Sequence, residues 1–171
     1  MRANTEKVKF AVVGAGHIGK RHAEMIRREE ESELVAMVDI RSKEECGAET
    51  FDVPFFNSVE ELLASDIDFY VVNICTPNGL HAGQSLLALE AKKHVVCEKP
   101  MGLSKDNCEK VIFKSLQVSK LVFCVMQNRF APPSVWLKEL VDAGDLGKIH
   151  QVHIQCFWNR DDSYYAASKW R

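Results

Sequence analysis

The stretch KVKFAVVGAGHIG, residues 7–19, decides the fold. Val8, Phe10, Val12 and Val13 give an apolar strand, and Gly14, Gly16 and Gly19 follow at GxGxxG spacing as a helical pattern opens at His17. The first glycine lets the chain turn sharply off the strand, the second lets bare backbone approach a pyrophosphate, and the third lets the helix pack close to the sheet. An anion would sit at the helix N-terminus, where unpaired N–H groups and the dipole favour it. His17 and Ile18, which open that helix, are therefore candidate cofactor contacts with the three glycines. GxGxxG alone is weak, because a turn that merely packs a helix on a sheet reads the same way. Here the motif follows a strand directly, and Asp39 ends the next apolar run 20 residues after Gly19, where an acid for a ribose is expected.

Downstream, strand and helix patterns alternate. His17 to about Arg28 reads as a helix with Ile18, His22, Met25 and Ile26 near one face, and Glu33 to Asp39 as the second strand. Arg41 to Asp52 reads as a short polar helix, and Val53 to Phe56 as a third strand. Ser58 caps a helix over Val59 to Ala64, with Glu61 at the capping-box position. Phe69 to Cys75 is a buried fourth strand that delivers Thr76, Pro77, Asn78 and Gly79 at its C-terminal end, the edge where open parallel sheets bind ligands. A helix over His81 to Ala91 leads to a fifth strand from His94 to Cys97, which brings Glu98, Lys99 and Pro100 to the same edge. Ser104 or Asp106 can cap a further helix to about Val118. Leu121 to Met126 forms a sixth strand followed by Gln127, Asn128 and Arg129. Pro133 opens a helix to about Ala143, closed by Gly144 and Gly147. This order predicts an α/β fold, a doubly wound parallel sheet of Rossmann type over residues 1–144. From Lys148 to Trp158 apolar and polar residues alternate with period two, which predicts an antiparallel-type strand opening a second α/β domain over residues 145–171, too short to be complete.

At 171 residues, roughly one domain and a fragment are expected. A net charge of −2 gives no electrostatic reason to expect nucleic acid or an anionic membrane as partner. Neither a membrane span nor the apolar core of a signal peptide is visible, so a cytoplasmic protein is expected. The six cysteines contain no CxxC, and Cys75, Cys97, Cys124 and Cys156 lie in strand-like runs, which reads as small buried hydrophobes in a reducing compartment. The histidines show no metal spacing, and no metal is expected.

An Asp at residue 39 can accept from both adenosine ribose hydroxyls and would repel the 2′-phosphate of NADP, which favours NAD. Arg41 could pair with that phosphate or be a solvated loop arginine. The blocks VVGAGHIGKRHAE (12–24), NICTPNGLHAGQSLLALEAKKHVVCEKPM (73–101) and NRFAP (128–132) resemble the Gfo/Idh/MocA family of NAD(P)-dependent sugar and cyclitol oxidoreductases. The resemblance implies that Gly14, Gly16 and Gly19 hold the cofactor phosphates and Asp39 the ribose. It also implies that Thr76, Pro77, Asn78 and His81 form a cofactor-contacting turn, that Glu98 helps seat the cofactor, and that Lys99 sits by the reacting carbinol. Family members carry a C-terminal domain whose Asp or His partners the lysine. The tail FWNRDDSYYAASKWR (157–171) resembles members acting on nucleotide-sugar acids such as UDP-N-acetylglucosaminuronate.

Lys99 is the candidate catalytic and substrate-contacting residue, because a half-buried ammonium has its pKa pulled down and can exchange protons with an alcohol. Glu98 points to the opposite strand face, so an ion pair between the two is not assured. His81 could cap its helix or lie against the cofactor. Asn128 is a candidate cofactor contact and Arg129 a candidate substrate contact. Arg160 could grip a carboxylate or phosphate through its fork of donors. Trp158, Tyr164, Tyr165 and Trp170 read as packing residues. The expected function is hydride transfer between NAD and a secondary alcohol of a sugar or nucleotide-sugar uronate, in a homo-oligomer built through the second domain. Two rivals are an NAD-dependent glycosidase of the same family type and a non-catalytic dinucleotide-sensing regulator. The regulator's usual sign would be loss of the lysine that is present here.

Overall fold

The computed structural model describes residues 6–166. Strand β1 (Val8–Val13), helix α1 (His17–Arg28) and β2 (Ser32–Val38) are followed by β3 (Phe55–Phe56), α2 (Val59–Ala64) and β4 (Val71–Ile74). Then come α3 (His81–Glu90), β5 (His94–Cys97), α4 (Lys105–Gln117) and β6 (Val122–Cys124). All six strands are parallel in the order β3-β2-β1-β4-β5-β6. The order reverses between β1 and β4, where Val13 pairs with both Val38 and Ile74. The loops after these two strands leave in opposite directions there and open the crevice in which doubly wound sheets bind ligands.

Successive side chains of a strand point to opposite faces, so both faces of β1 can be buried at once. Ala11 and Val13 join Val72, Ile74, Leu89 and Val95 on one face. Val12 joins Met37, Leu34, Ala23, Ile26 and Phe51 on the other. Helix α1 buries Gly19, Ala23 and Ile26, a stripe at helical spacing whose first two members are small. The expected face is corrected accordingly: Ile18 and Met25 are exposed, because close approach through Gly19 and Ala23 rotates them away from the sheet.

Residues 41–52 form turns rather than the expected helix. One helix-like bond forms, Cys46 N–H to the Ser42 carbonyl at 3.1 Å, but Gly47 then takes a φ of 57° and ends it. Ser58 caps α2 as expected, accepting from the Glu61 N–H at 3.1 Å, while the Glu61 carboxylate reaches one residue further back to the Asn57 N–H at 2.9 Å.

The chain divides into two compact units after Val125. In the second, helix α5 (Pro132–Ala143) starts one residue earlier than expected and ends at Gly144, whose φ of 77° is left-handed, and α6 spans Asp162–Ala166. The strand expected over Lys148 to Trp158 is not formed: residues 148–161 lack regular structure and residues 148–160 are exposed. An alternating pattern becomes a strand only when another strand takes its backbone hydrogen bonds, and the described residues contain none that pairs with this segment. Cys156 is exposed as a result, against the expectation of a buried thiol, whereas Cys46 and Cys97 are buried, and all six cysteines are free.

Candidate dinucleotide site

Gly14 leaves β1 with a φ of 93°, and a Cβ there would stand 2.7 Å from the backbone carbonyl of Cys75. A Cβ on Gly19 would lie 1.7 Å from the Gly14 carbonyl oxygen. These two glycines are thus fixed by the packing of the turn against β4 and of α1 against the turn. Gly16 differs, because a Cβ there would meet nothing within 4 Å. Its backbone faces open space at the start of α1, a helix with no acidic residue in its first turn and no side-chain cap. Such a cradle fits a pyrophosphate, and His17 and Ile18 are exposed beside it.

Asp39 stands one residue beyond β2. Its Oδ2 accepts from the Ala15 N–H at 2.9 Å, which ties the acid to the glycine turn. Arg41 donates to it from the backbone at 3.1 Å, from Nε at 3.0 Å and from a terminal guanidinium nitrogen at 3.2 Å. Burial pushes the Asp39 carboxyl upward, but the bonds from Arg41 and Ala15 outweigh it and hold the group below the ordinary Asp value. Arg41 is therefore paired with Asp39 while its side chain stays half-exposed to solvent.

After β4, Thr76 donates its hydroxyl to the Gln84 side-chain carbonyl at 2.5 Å, and residues Asn78–Leu80 make a single 3₁₀ turn. His81 neither caps α3 nor lies open to a ligand. It is 1% exposed, with Nε2 2.7 Å from the Thr76 carbonyl and Nδ1 2.7 Å from the Pro100 carbonyl. The ring joins the loop after β4 to the loop after β5 and so clasps the two loops together. His81→Leu should lower the melting temperature by roughly 5 °C or more, because the hydrogen bonding that joins the two loops is lost, and a group left unsatisfied costs about 1–3 kcal/mol. An unchanged melting curve would show that these bonds do not hold the loops.

Glu98 and Lys99 follow β5 at the same sheet edge. Glu98 is half-buried and its Oε1 accepts from His22 Nε2 of α1 at 3.0 Å, while Oε2 accepts from the Lys99 N–H at 3.2 Å. The His22 hydrogen bond outweighs burial and holds the Glu98 carboxyl below the usual Glu value. His22 Nδ1 is 3.0 Å from Nδ2 of Asn73, a buried residue of β4. Neither His22 nor Asn73 was singled out by sequence motif, although an Asn inside the apolar run FYVVNIC is itself a signal that a buried polar partner exists. Lys99 is exposed, against the half-burial expected for it. The Lys99–Pro100 peptide is cis.

Gly14, Gly16, Gly19, Asp39, Thr76, Pro77, Asn78, Glu98 and Lys99 thus gather at the C-terminal ends of β1, β2, β4 and β5. Asn128, Arg129 and Arg160 belong to the second unit. Asn128 and Arg129 lie exposed in a 3₁₀ turn over Gln127–Phe130. Arg160 stacks on Trp158 at 4.8 Å and Tyr164 at 4.4 Å and donates to the Tyr164 hydroxyl at 2.7 Å. Trp158 is exposed, and Trp170 lies outside the described residues. Among the described residues no group of His, Cys, Asp or Glu could hold a metal ion, and no helix is long and apolar enough to cross a membrane.

A doubly wound sheet with a glycine cradle at its switch point and an acid beyond β2 defines a dinucleotide-binding Rossmann protein. Residues 8–125 match the family described as oxidoreductases with an NAD-binding Rossmann fold, and the chain belongs to this Gfo/Idh/MocA family. Inositol 2-dehydrogenase of Rubrobacter xylanophilus is 35% identical over 155 residues, which cover 86% of this chain and 43% of that protein. The WlbA dehydrogenase from Bordetella pertussis, solved in complex with NADH and UDP-GlcNAcA, matches with a TM-score of 0.91 at 29% identity over 97% of this chain and 51% of its own. Scyllo-inositol dehydrogenase from Lactobacillus casei, solved with NAD(H) and scyllo-inositol, matches with a TM-score of 0.76 at 30% identity over 83% of this chain and 43% of its own. The chain spans about half the length of these relatives.

Proposed function

We propose that this chain forms the cofactor half of a dehydrogenase that oxidises a secondary alcohol of a sugar or nucleotide-sugar uronate with NAD, and that Lys99 is its proton-transfer residue. The observation that carries the reading is the convergence of the glycine cradle, Asp39 and Lys99 on one sheet edge. The nucleotide-sugar class is supported by the match to the WlbA enzyme, which reaches 97% of this chain and so takes in residues of the second unit, against 83% for the scyllo-inositol enzyme. Residues 1–144 would bind the cofactor, and residues from 145 onward would begin the part that holds substrate and joins subunits.

Bound NAD would supply the hydride acceptor. The N–H groups at the start of α1 would hold its phosphates, and Asp39 would accept from the ribose hydroxyls. Lys99 Nζ, as the amine, would take the hydroxyl proton from the carbon that loses hydride. Because the relatives are about twice as long, residues 1–171 alone are expected to bind NADH but to form none from a sugar, a substrate half being needed to fix the alcohol against Lys99. Turnover of a sugar by these residues at the rate of an intact dehydrogenase would overturn the two-part reading.

Cofactor choice gives a direct test. NADH should bind tighter than NADPH by about 1–3 kcal/mol, the scale of leaving a buried polar group unsatisfied, since Asp39 would face the 2′ position. Titration of both by fluorescence or calorimetry measures the difference. Equal affinities, or tighter NADPH binding through Arg41, would count against NAD.

A further inference from the structure

We propose that His22 is a positioning residue: it holds the Glu98 carboxylate, ionised and oriented, as the acceptor on which the nicotinamide end of the cofactor is seated. This rests on the dehydrogenase reading and extends it to a residue on the opposite side of the glycine turn from Asp39.

The geometry settles which groups donate to Glu98. Asn73 is 4% exposed on β4, flanked by buried Val72 and Ile74. A buried amide in such a strand is costly unless its hydrogen bonds are made. Its Nδ2 donates to His22 Nδ1 at 3.0 Å, which leaves Nε2 as the protonated ring nitrogen, and Nε2 donates to Glu98 Oε1 at 3.0 Å. Asn73 Oδ1 has no partner, so this amide serves His22 through its donor alone. Turning the amide over would require a doubly protonated ring, and Nε2 would still donate to Glu98. In either arrangement the carboxylate receives a proton donor from α1, and from Lys99 N–H at 3.2 Å on its other oxygen.

The side chains of His22 and Glu98 are 16% and 13% exposed, so the pair is shielded yet reachable from the sheet edge. The other titratable groups near Glu98 are Lys99 beside it in sequence, Cys75 after β4, Cys97 at the end of β5 and Cys124 at the end of β6. Burial pushes the three thiols up, Cys97 to about 11, so they stay neutral and supply no countercharge. His22 is accordingly the principal partner that keeps Glu98 ionised. Without it, burial would drive the carboxyl upward and free its rotation.

The test uses the chain as it stands and three variants. His22→Leu removes the donor. His22→Asn preserves a polar group too short to reach Glu98. His22→Gln can still accept from Asn73 while donating to Glu98. The Glu98 carboxyl is followed by carbon NMR in the chain without cofactor, and NADH affinity is measured from pH 5 to pH 8. Wild type and His22→Gln should titrate Glu98 below 4.5, the ordinary Glu value, and show pH-independent NADH binding across this range. The Leu and Asn variants should titrate Glu98 higher, bind NADH about tenfold more weakly at pH 5 than at pH 8, and keep a native melting curve in at least the Asn case. An unmoved Glu98 titration in folded Leu or Asn variants overturns the proposal. A moved titration with unchanged NADH binding overturns the seating role. Failure of His22→Gln to restore either readout also overturns it, since only packing would then matter. If wild type binds no NADH, the cofactor reading fails, and with it the seating role, while the NMR titration still shows whether His22 governs Glu98.

Discussion

Gly19→Ala is expected to destroy the folded dinucleotide site, while Gly16→Ala folds with a wild-type melting temperature and loses cofactor affinity. The two substitutions add the same methyl group to the same motif, three residues apart. At residue 19 that methyl would lie 1.7 Å from the Gly14 carbonyl oxygen, a backbone atom that cannot swing aside. Relief requires α1 to lift off the turn, which unpacks Ala23 and Ile26 from the second face of β1 and costs roughly 3 kcal/mol or more. The gain in helix propensity from replacing glycine, about 0.5–1 kcal/mol, is too small to compensate. At residue 16 nothing stands within 4 Å, so the fold does not register the change. A ligand that approaches the bare backbone does, because a methyl group then occupies its place. Thermal melts and NADH titrations of both variants separate the roles. A folded, NADH-binding Gly19→Ala protein, or a Gly16→Ala protein of undiminished affinity, would contradict this division of labour.

The sheet was legible in the sequence because parallel strands buried on both faces are continuous apolar runs, and each is punctuated by a turn signal. VVGAG, NICTPNG and VVCEKP are such runs, and they yield β1, β4 and β5 with their functional loops. The reading failed where local pattern needed a distant partner. Residues 41–52 have helix-compatible composition, but Gly47 adopts a left-handed φ and Cys46, Ala48 and Phe51 are drawn into the core beside α1. The alternation over 148–158 promised a strand, and no described strand accepts it. The face of α1 was misjudged for a related reason, since the largest apolar residues are not the buried ones when Gly19 lets the backbone approach.

At the site, residues proposed to contact a ligand through backbone or motif position were readable, and those that act through another side chain were not. Asp39 and Gly14 announce themselves by spacing. The links of His22 to Glu98 and His81 to Pro100 depend on which loops the fold brings together, at separations of 76 residues for the first and 19 for the second. Spacing within one sequence carries no information about such pairs. The polar residues Asn73 and His81, set among apolar neighbours, were the available hint.

Lys99→Met, assayed in a form of the protein that turns over a sugar, should lower kcat by at least about 10²-fold, the lower range for general acid–base catalysis, with NADH affinity nearly unchanged. The structure makes this a clean test. Lys99 is exposed and no side-chain hydrogen bond or ion pair holds its ammonium among the described residues, so its removal forfeits no hydrogen bond and little packing. What Lys99 contributes to the fold is its backbone N–H, which donates to Glu98 at 3.2 Å and survives the substitution. The cofactor cradle and Asp39 lie on other strands and keep their geometry. Methionine matches the length of the lysine stem, so substrate access is altered little while the proton acceptor is lost. A fall in kcat at constant melting temperature and constant NADH affinity therefore assigns the proton-transfer step to Nζ. Near wild-type turnover would remove Lys99 from the mechanism and leave the glycine cradle and Asp39 as features of a dinucleotide-binding protein whose proton acceptor lies elsewhere.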